Sequence, residues 1–569
     1  MYELEGKIIR VVGPVVVAEG LKEARVWDTV LVGDLELFGE IIGLEKNLAT
    51  IEVYEDTTGL KVGERVVSMK KPLTAELGPG MLGSIYDGLQ KSLIGIKNKH
   101  GDYIERGVKI HKLPRDKTWE FIPTVKKGVD VEYGQVIGYV MEFGLKHKIL
   151  SNFNGKVTHI QKGKFKVDDT IATIDKKEQK LYREWPIKIP RPCKEKIEFY
   201  DPLITGQRVI DTLFPAAKGG ICCVPGAFGT GKTVLEHVIT MNADADVIIF
   251  VGCGERGNEM CDLITTLPES KDKKTKKSLM EKTVMIANTS NMPVIARKTS
   301  IFTGITIGEY FRDQGYNVLL LADSTSRWAE ALREVSGRLK EIPGEEGYPV
   351  YLQSETANFY ERAGRVKTYD GTGSLTLICS ISPPGGDFSE PVTQATLRVT
   401  KVFWGLDTDL AYRRHFPAIN WLISYSLYTK TLDNWYKKKL SKEWISLRNK
   451  TFELLKRENE LERIVRIVGI ANLPSIDRLN LEVARLVREE FLQQNAFHLV
   501  DAHCSLKKQF EMLKTIMTYY DLGKKALEKN IPVEKVLEIP AKQLLIQMKF
   551  SDKEEFSDVR KEIEKGLEL

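Results

Sequence analysis

The feature that most constrains this chain is the octapeptide GAFGTGKT at residues 226–233. It fits the pattern G-x-x-x-x-G-K-[ST], in which glycines let successive backbone N–H groups point at phosphate oxygens. In such a loop Lys232 reaches the β- and γ-phosphates, and the Thr233 hydroxyl binds Mg²⁺. The octapeptide follows the strand-like GGICCVP and opens the helix-compatible TVLEHVITM, whose N-terminal dipole also favours an anion. This context predicts a phosphate-binding loop rather than a plain glycine turn.

Length and patterning predict several domains, because 569 residues exceed what one hydrophobic core supports. We predict a multidomain fold class with an N-terminal antiparallel β-barrel, a RecA-like α/β P-loop nucleotide-binding core with a β-rich insert, and a C-terminal α-helical bundle. The predicted boundaries are 1–70 for the barrel, 71–110 for a linker and the first part of the core, 111–190 for the insert, 191–430 for the P-loop domain, and 431–569 for the helical domain.

Hydrophobic periodicity distinguishes these regions. Up to residue 70, short strand-like segments recur about every ten residues, which is typical of a small barrel. The wholly apolar segments DVIIFVG (246–252), TVMIAN (283–288), NVLLLAD (317–323) and SLTLICSIS (374–382) alternate with helical stretches. That alternation indicates parallel strands buried on both faces. Beyond about residue 430, apolar residues recur at the spacing of a helix, as at Leu479, Val483, Leu486 and Val487.

Composition restricts the location of the protein. No stretch approaches the roughly 18 consecutive apolar residues of a membrane-spanning helix, and the N-terminus lacks the basic region and cleavage site of a signal peptide. The seven cysteines are odd in number and show no C-x-x-C spacing, which favours reduced thiols over disulfides or zinc ligands. We expect a cytoplasmic protein that reaches any membrane through its partners.

A hexameric nucleic-acid motor is an alternative, because such proteins also combine an N-terminal barrel with a P-loop core. Residues 1–70 contain eight Lys and Arg against thirteen Asp and Glu. An excess of negative charge disfavours a groove that follows a phosphate backbone. The β-rich insert and the acidic barrel therefore favour an ATPase that does not act on nucleic acid, and RNA-stimulated hydrolysis would distinguish the two classes.

Two further segments supply candidate catalytic groups. NVLLLAD ends in Asp323, and an aspartate at the end of an apolar strand is the usual second contact for Mg²⁺ in a P-loop protein. VIIFVGCGERGNEM ends a parallel strand with Glu255 and Arg256, at the edge where such sheets bind ligands. Glu255 is the candidate base for the attacking water, Arg256 a candidate phosphate contact, and Glu259 a weaker acidic candidate. A nucleotide-binding regulator without turnover is another alternative, and it would require Glu255 to be idle.

Longer motifs carry a resemblance to a known family. The segments GCGERGNEM, NMPVIARKTSIFTGITIGEYFRDQG, LLLADSTSRWAEALRE, SPPGGDFSEPVTQATLRVTKVFWGLD and LAYRRHFPAINW resemble the catalytic A subunit of V-type and A-type ATPases. The resemblance covers nearly the whole chain and is densest over residues 183–425. The insert is similar to the bulge domain that distinguishes this family from the F-type catalytic subunit and from the non-catalytic B subunit.

The resemblance implies roles for individual residues. Its catalytic set is Glu255, Lys232, Arg256 and Arg312, and its Mg²⁺ ligands are Thr233 and Asp323. Phe416 and Phe497 match the aromatic residues on either side of adenine. The full set of implied ATP contacts is Gly226, Ala227, Phe228, Gly229, Thr230, Gly231, Lys232, Thr233, Val234, Phe416, Pro417, Gln494 and Phe497.

The resemblance also implies a complex. Three copies would alternate with three B subunits, each B subunit donating an arginine to the catalytic site of its neighbour. Stalk subunits would couple ATP hydrolysis or synthesis to H⁺ or Na⁺ transport, with the chain peripheral on the cytoplasmic face of the membrane.

Some residues depart from the family pattern. Thr230 stands where eukaryotic P-loops commonly have cysteine, which favours a prokaryotic origin. Lys298 stands where many relatives have glutamate, and Glu355 and Thr356 stand where many have arginine and leucine. We expect these three departures to affect contacts between subunits more than chemistry.

Overall fold

The computed structural model describes residues 4–101, 103–272, 275–369 and 371–567. These residues form two compact units. Unit 1 comprises Met1–Ile197, Ala245–Ile381 and Phe388–Val399, and unit 2 comprises Glu198–Asp244, Ser382–Asp387 and Thr400–Leu569. In the part of the chain that is described, no helix is both long enough and apolar enough to cross a membrane.

The N-terminal strands of unit 1 close into an antiparallel barrel of order β1-β2-β5-β4-β3-β6. Its interior is filled by aliphatic side chains such as Val16, Val30, Ile41 and Ile51. The predicted barrel is confirmed, and six strands of the described chain form it. They are β1 (Leu4–Val12), β2 (Val15–Glu19), β3 (Asp28–Val32), β4 (Leu37–Glu45), β5 (Leu48–Val53) and β6 (Arg65–Pro72).

Two barrel carboxylates, Glu40 and Glu52, are 1% exposed and pair with lysines outside the barrel. Lys188 Nζ lies 2.5 Å from Glu40, and Lys298 Nζ lies 3.2 Å from Glu52. Buried carboxylates need such partners, because an unpaired buried charge is costly. These two ion pairs neutralise part of the excess negative charge of residues 1–70.

The same contacts bear on the departures from the family pattern. Lys298 forms an ion pair with Glu52 of the same chain, and the negative charge of Glu355 also stabilises its ammonium group. Thr356 is buried, and its hydroxyl donates to the carbonyl of Leu352. Contacts within the chain therefore explain why a lysine stands at position 298 and a threonine at position 356. Neither residue requires a contact with another subunit as an explanation.

The chain continues through β7 (Thr74–Leu77), β8 (Ile85–Tyr86) and α1 (Leu93–His100) into the predicted insert. The insert consists of two four-stranded sheets, β10-β13-β15-β16 and β12-β11-β9-β14. Phe121, Ile137, Val140 and Ile171 are buried between its strands. The strands are β9 (Trp119–Pro123), β10 (Asp130–Val131), β11 (Val136–Glu142), β12 (Leu145–Leu150), β13 (Gly155–Ile160), β14 (Gly163–Phe165), β15 (Thr170–Ile174) and β16 (Lys177–Lys180).

The return from the insert runs through β17 (Arg183–Pro186), which pairs with β7, and β18 (Glu195–Ile197). Unit 2 then begins with the segment that contains the glycine-rich octapeptide. Its elements are β19 (Pro202–Leu203), α2 (Arg208–Leu213), β20 (Ala216–Ala217), β21 (Ile221–Pro225) and α3 (Lys232–Asn242).

A parallel sheet of order β8-β23-β22-β24-β26 forms the core of unit 1. Its central strands coincide with the apolar segments identified in the sequence, and β25 and β18 extend it in antiparallel fashion. The elements are β22 (Val247–Glu255), α4 (Gly257–Glu269), β23 (Thr283–Thr289), α5 (Val294–Asp313), β24 (Asn317–Asp323), α6 (Thr325–Leu339), α7 (Leu352–Tyr360), β25 (Gly364–Thr368), β26 (Gly371–Ile381) and α8 (Pro391–Leu397).

The remainder of unit 2 is mainly helical, as predicted. In this unit β21 pairs in parallel with β27, and β27 pairs with β28. A π-helical turn, Val487–Leu492, follows α12. The elements are β27 (Val402–Phe403), α9 (Thr408–Tyr412), β28 (Tyr425–Ser426), α10 (Thr429–Lys439), α11 (Trp444–Val468), α12 (Ser475–Leu486), α13 (Leu506–Glu528), α14 (Val533–Leu537), α15 (Lys542–Gln547) and α16 (Ser557–Gly566).

Candidate active site

The glycine-rich octapeptide of unit 2 connects the end of β21 to the start of α3. Gly229 and Gly231 have φ angles of +82° and +84°, which favour glycine. A Cβ at Gly226 would lie 2.6 Å from Thr230 Oγ1 and 2.7 Å from Leu406 Cβ, so a side chain does not fit there. This backbone conformation is what a loop needs to turn N–H groups toward a phosphate at a helix N-terminus.

Lys232 is the first residue of α3 and is 9% exposed. Its Nζ donates to the carbonyl oxygens of Gly226 (2.6 Å) and Ala227 (2.9 Å). The Thr230 hydroxyl also donates to Ala227 O at 2.8 Å, which closes the loop on itself. The lysine ammonium therefore lies against the loop whose N–H groups are the candidate phosphate donors. Thr233 and Val234 are half-buried in the first turn of α3.

The predicted adenine contacts also lie in unit 2. Phe416 is half-buried, and its ring carbon Cδ2 lies 3.9 Å from where a Cβ at Gly231 would be. The backbone N–H of Gln494 donates to Phe416 O at 2.6 Å, which joins the segment after the π-helical turn to Phe416. Phe497, three residues later, is 89% exposed. One exposed and one half-buried aromatic side chain on adjoining segments can form a stacking surface for a base.

The contacts of Gln494 and Pro417 lie within the chain, whereas the sequence predicted that both residues contact ATP. The Gln494 side chain accepts the N–H of Arg208 at 2.6 Å and donates to Asp501 O at 2.7 Å. Pro417 is buried. The Gln494 side chain therefore holds its own segment in place through contacts within unit 2, and its contact with ATP stays a prediction. Phe228, by contrast, is 78% exposed on the loop.

Unit 1 contributes carboxylates at the carboxyl edge of its parallel sheet. Asp323 ends β24 and Glu255 ends the neighbouring β22, where Gly252 is paired with Asp323. Asp323 is 2% exposed, and Ser380 Oγ donates to its Oδ1 at 2.5 Å. Carboxyl ends of parallel strands are the usual location of ligand sites in such sheets.

The pKa of Glu255 is raised to about 8, first by burial and then by the negative charges of Asp323 and Glu259. Arg327 partly opposes this rise. A carboxylate with an elevated pKa accepts a proton more readily than an ordinary one, which suits a general base. Raised pKa values at the end of a sheet are also typical of functional sites.

Two arginines of unit 1 enclose the turn that leads to Glu255. Gly254 has a φ of +74°, and a Cβ there would lie 2.8 Å from Arg327 Cβ and 3.0 Å from Arg297 Cδ. Arg327 is also among the charges that act on Glu255, and its guanidinium pairs with Glu330 at 2.8 Å. The sequence analysis did not predict a role for Arg327. Its position four residues after Asp323, at the start of a helix, could have indicated that it lies near the site.

Arg256 lies immediately after Glu255, exposed at the N-terminus of α4. It lies at the same edge of the sheet as Glu255, and its role as a phosphate contact stays a prediction. Glu259 is half-buried in the first turn of α4 and shares a hydrogen bond with Glu255.

The structure separates Arg312 from this group, contrary to the expectation. At the start of α5, the carbonyl of Arg297 contacts Cys253 near the carboxyl end of β22, whereas Arg312 at the end of α5 contacts Gly373 near the start of β26. Arg312 therefore lies at the opposite edge of the sheet from Glu255. The seven strand residues between the two edges span about 20 Å. Its guanidinium is 2% exposed and is held by Asp313 at 2.8 Å. We remove Arg312 from the candidate site.

This assignment predicts different outcomes for two arginines on α6. Arg327→Ala is expected to lower the rate of ATP hydrolysis by about 10²- to 10³-fold, because it removes a fixed charge beside the reacting group. Arg338→Ala, on the same helix, removes an exposed pair with Glu334 and a contact with Gly13, away from Glu255, and should leave the rate unchanged. Steady-state turnover of both variants checks the assignment, and equal activity of the two would contradict it.

The donor atoms at these positions suit a magnesium ion. Asp323 offers a carboxylate and Thr233 a hydroxyl oxygen, and Mg²⁺ prefers oxygen ligands and usually takes only one or two from the protein, completing its shell with phosphates and water. Asp323 is buried and oriented by Ser380, as a fixed ligand should be. When bound, Mg²⁺ would neutralise charge on the phosphate oxygens.

A barrel, a P-loop α/β core and a helical C-terminal region in this order are typical of the ATP synthase alpha/beta class, and comparison with family models shows that class for this chain. Four family models match the chain. They are the beta-barrel domain of the ATP synthase alpha/beta family over residues 8–70, its barrel-sandwich domain over 110–188, its nucleotide-binding domain over 206–426, and the C-terminal domain of V and A type ATP synthase over 433–537.

Whole-chain relatives refine that class. The chain is 52% identical to the V-type ATP synthase alpha chain of Acetivibrio thermocellus, over 99% of this chain and 98% of that one. It is 51% identical to the A subunit of the A-type ATP synthase of Methanopyrus kandleri, with the same coverage. The assembled ATPase EscN of the enteropathogenic E. coli type III secretion system shares the fold, with a TM-score of 0.66 at 22% identity over 90% of this chain and 99% of that chain. The chain belongs to the family of V-type and A-type ATP synthase alpha (A) subunits.

Proposed function

We propose that this chain is the catalytic A subunit of a rotary ATPase, and that it hydrolyses or synthesises Mg-ATP. Among the geometric observations, the one that supports this best is the pair of carboxylates at the ends of neighbouring parallel strands, Glu255 and Asp323, in a chain that keeps an intact P-loop. A nucleotide-binding regulator would need the P-loop alone. A carboxylate at the end of the strand next to a candidate metal ligand is suited to activating a water molecule.

We assign the following roles in ATP hydrolysis to the residues of the site. The N–H groups of residues 226–233 and the Lys232 ammonium bind the phosphates, and Thr233 and Asp323 would hold Mg²⁺. Glu255 orients the attacking water and accepts its proton. Arg256 and Arg327 stabilise negative charge on the transferred phosphoryl group. Phe416 and Phe497 hold the adenine by stacking.

The proposed complex extends beyond this chain. A neighbouring non-catalytic B subunit would donate an arginine to the site, and three A and three B subunits would alternate in a ring. Stalk subunits would connect the ring to a membrane sector that moves H⁺ or Na⁺, with the chain peripheral on the cytoplasmic face of the membrane. Exposed apolar side chains near the end of α11 (Ile464, Ile467 and Ile470) are consistent with a protein contact in the C-terminal region.

Partner dependence gives a direct test of this proposal. The purified chain is expected to hydrolyse ATP slowly, and addition of its B subunit should raise the rate by about 10³- to 10⁵-fold, because the arginine that a neighbour supplies stabilises the transition state. Added RNA should leave the rate unchanged. The control is a B subunit in which the candidate arginine is replaced by alanine. Full activity of the isolated chain would contradict the proposal.

A further inference from the structure

A small pocket of unit 1 lies where the insert meets the connecting segment after β17 and the strand β25. Its volume is about 190 Å³. The insert contributes Tyr133 and Leu150, the connecting segment contributes Arg191 to Lys194, and β25 contributes Val366 to Thr368. Pockets for drug-sized ligands and nucleotides are larger, about 300–1,000 Å³, so this pocket suits a small ion.

Arg191 forms the buried wall of this pocket and is 5% exposed. Its Nε donates to Asp313 Oδ2 at 2.7 Å, and its guanidinium carbon lies 5.1 Å from the centre of the Trp185 ring and 5.5 Å from that of Tyr310. The remaining nitrogen Nη1 is buried and has no hydrogen-bond partner among the described residues. The Asp313 pair and the two ring contacts hold the guanidinium in place at the wall of the pocket.

The charges around the pocket favour an anion. Arg191, Lys194 and Lys367 line it, and Asp313 is the one carboxylate that the described chain places in its lining. That carboxylate is shared with Arg312, which lies 2.8 Å from its other oxygen, so its charge is already taken up by two guanidinium groups. Lys194 is partly engaged by Glu132 at 3.8 Å, and both side chains are exposed to solvent. Positive charge remains in excess at the pocket.

A second arginine near the same ring strengthens this pattern. The guanidinium carbon of Arg183 lies 4.9 Å from the centre of the Trp185 ring, and its Nε and Nη1 are also buried without a partner in the described chain. Burial lowers the pKa of Arg183, and the charge of Arg191 lowers it further. Arg183 is not part of the pocket lining, but its charge adds to the positive potential of this region.

We propose that this pocket binds a small oxyanion, with inorganic phosphate as the leading ligand, and that the Arg191 guanidinium is the main positive charge that holds it. Guanidinium groups match the geometry of phosphate oxygens. Lys194 and Lys367 contribute charge at the rim. The site is separate from the P-loop and does not depend on the ATPase function. A bound anion would link the insert to the core strand β25, and would stabilise the attachment of the insert.

Cys193 provides a local reporter of occupancy, because it is exposed and lines the same pocket. The experiment uses the full chain with Lys232→Ala, which removes the phosphate-binding ammonium of the P-loop. N-ethylmaleimide labelling of Cys193 is followed by mass spectrometry in phosphate, sulfate or chloride at equal ionic strength. Cys261, the other exposed cysteine of the described chain, is the internal control. At ten times the Kd, phosphate should slow labelling of Cys193 about tenfold, and should leave Cys261 unchanged.

Two sets of variants decide the result. Arg191→Gln should remove the protection of Cys193. If that variant does not fold, Lys194→Ala combined with Lys367→Ala changes only the rim and should raise the apparent Kd about three- to tenfold. Protection by sulfate as well as phosphate supports an oxyanion site. The proposal is overturned if phosphate protects Cys193 no better than chloride, if Cys261 is protected equally, or if the rim variant leaves the Kd unchanged.

Discussion

Glu255→Gln is expected to slow ATP hydrolysis by about 10²- to 10⁴-fold, the usual contribution of a positioned general base. Glutamine keeps the size of the side chain and can still hydrogen-bond a water molecule, but it cannot accept the proton. Nucleotide affinity should remain within a few-fold of the original, because the phosphates are held by the P-loop. Turnover in the presence of the B subunit, together with equilibrium binding of ATP, measures the two effects separately.

The neighbouring acid provides the matched control for this change. Glu259→Gln should have a much smaller effect, because Glu259 acts on Glu255 through charge and a hydrogen bond rather than on the water. Removing its negative charge should lower the pKa of Glu255 toward its ordinary value. If Glu259→Gln were the more damaging of the two, the roles assigned here would have to be exchanged. Retained turnover in Glu255→Gln would remove Glu255 from catalysis.

Arg362→Leu is expected to lower the free energy of unfolding of unit 1 by about 3–5 kcal/mol, the cost of breaking a buried ion pair by removing one partner. Arg362 Nη2 lies 2.5 Å from Glu309 Oε2, and Nε lies 3.2 Å from Oε1. Both side chains are at most 2% exposed. The arginine also donates to the carbonyl of Ile187 at 2.6 Å, which anchors the segment after the insert. Urea unfolding followed by tryptophan fluorescence measures the loss.

Arg466→Leu serves as the control for this prediction. Arg466 is exposed near the end of α11, and surface changes of this kind usually alter stability by no more than about 0.5 kcal/mol. A similar small effect for Arg362→Leu would mean that the Glu309 pair contributes little to the stability of this unit.

Much of the architecture could be predicted from local patterns. The strands β22, β23, β24 and β26 are apolar along most of their length because helices cover both faces of a parallel sheet, and that leaves a direct trace in the sequence. The turn at residues 226–233 depends on glycines that no other residue replaces without strain. These features are local, so hydrophobic periodicity and turn chemistry were sufficient to predict them.

The roles of single arginines were harder to predict, because they depend on which edge of the sheet a residue reaches. Arg312 and Arg327 both follow recognisable motifs. However, α5 runs antiparallel to the strands, so its last residues, including Arg312, lie at the edge of the sheet where the strands begin. Arg327 lies in the first turn of α6, beside Glu255 at the edge where the strands end. The Lys298 and Gln494 contacts join segments far apart in the chain, Glu52 in one case and Arg208 in the other. Sequence spacing carries no information about such pairs.

The central claim is that ATP is hydrolysed at the P-loop of this chain. The most direct measurement is the turnover of complexes assembled from B subunits and this chain carrying Lys232→Ala, compared with complexes that contain the unchanged chain. The account predicts complexes of the same size with no measurable turnover, since the phosphate-binding ammonium is missing from every catalytic site. Turnover equal to that of the unchanged complex would show that hydrolysis takes place elsewhere and would contradict the account.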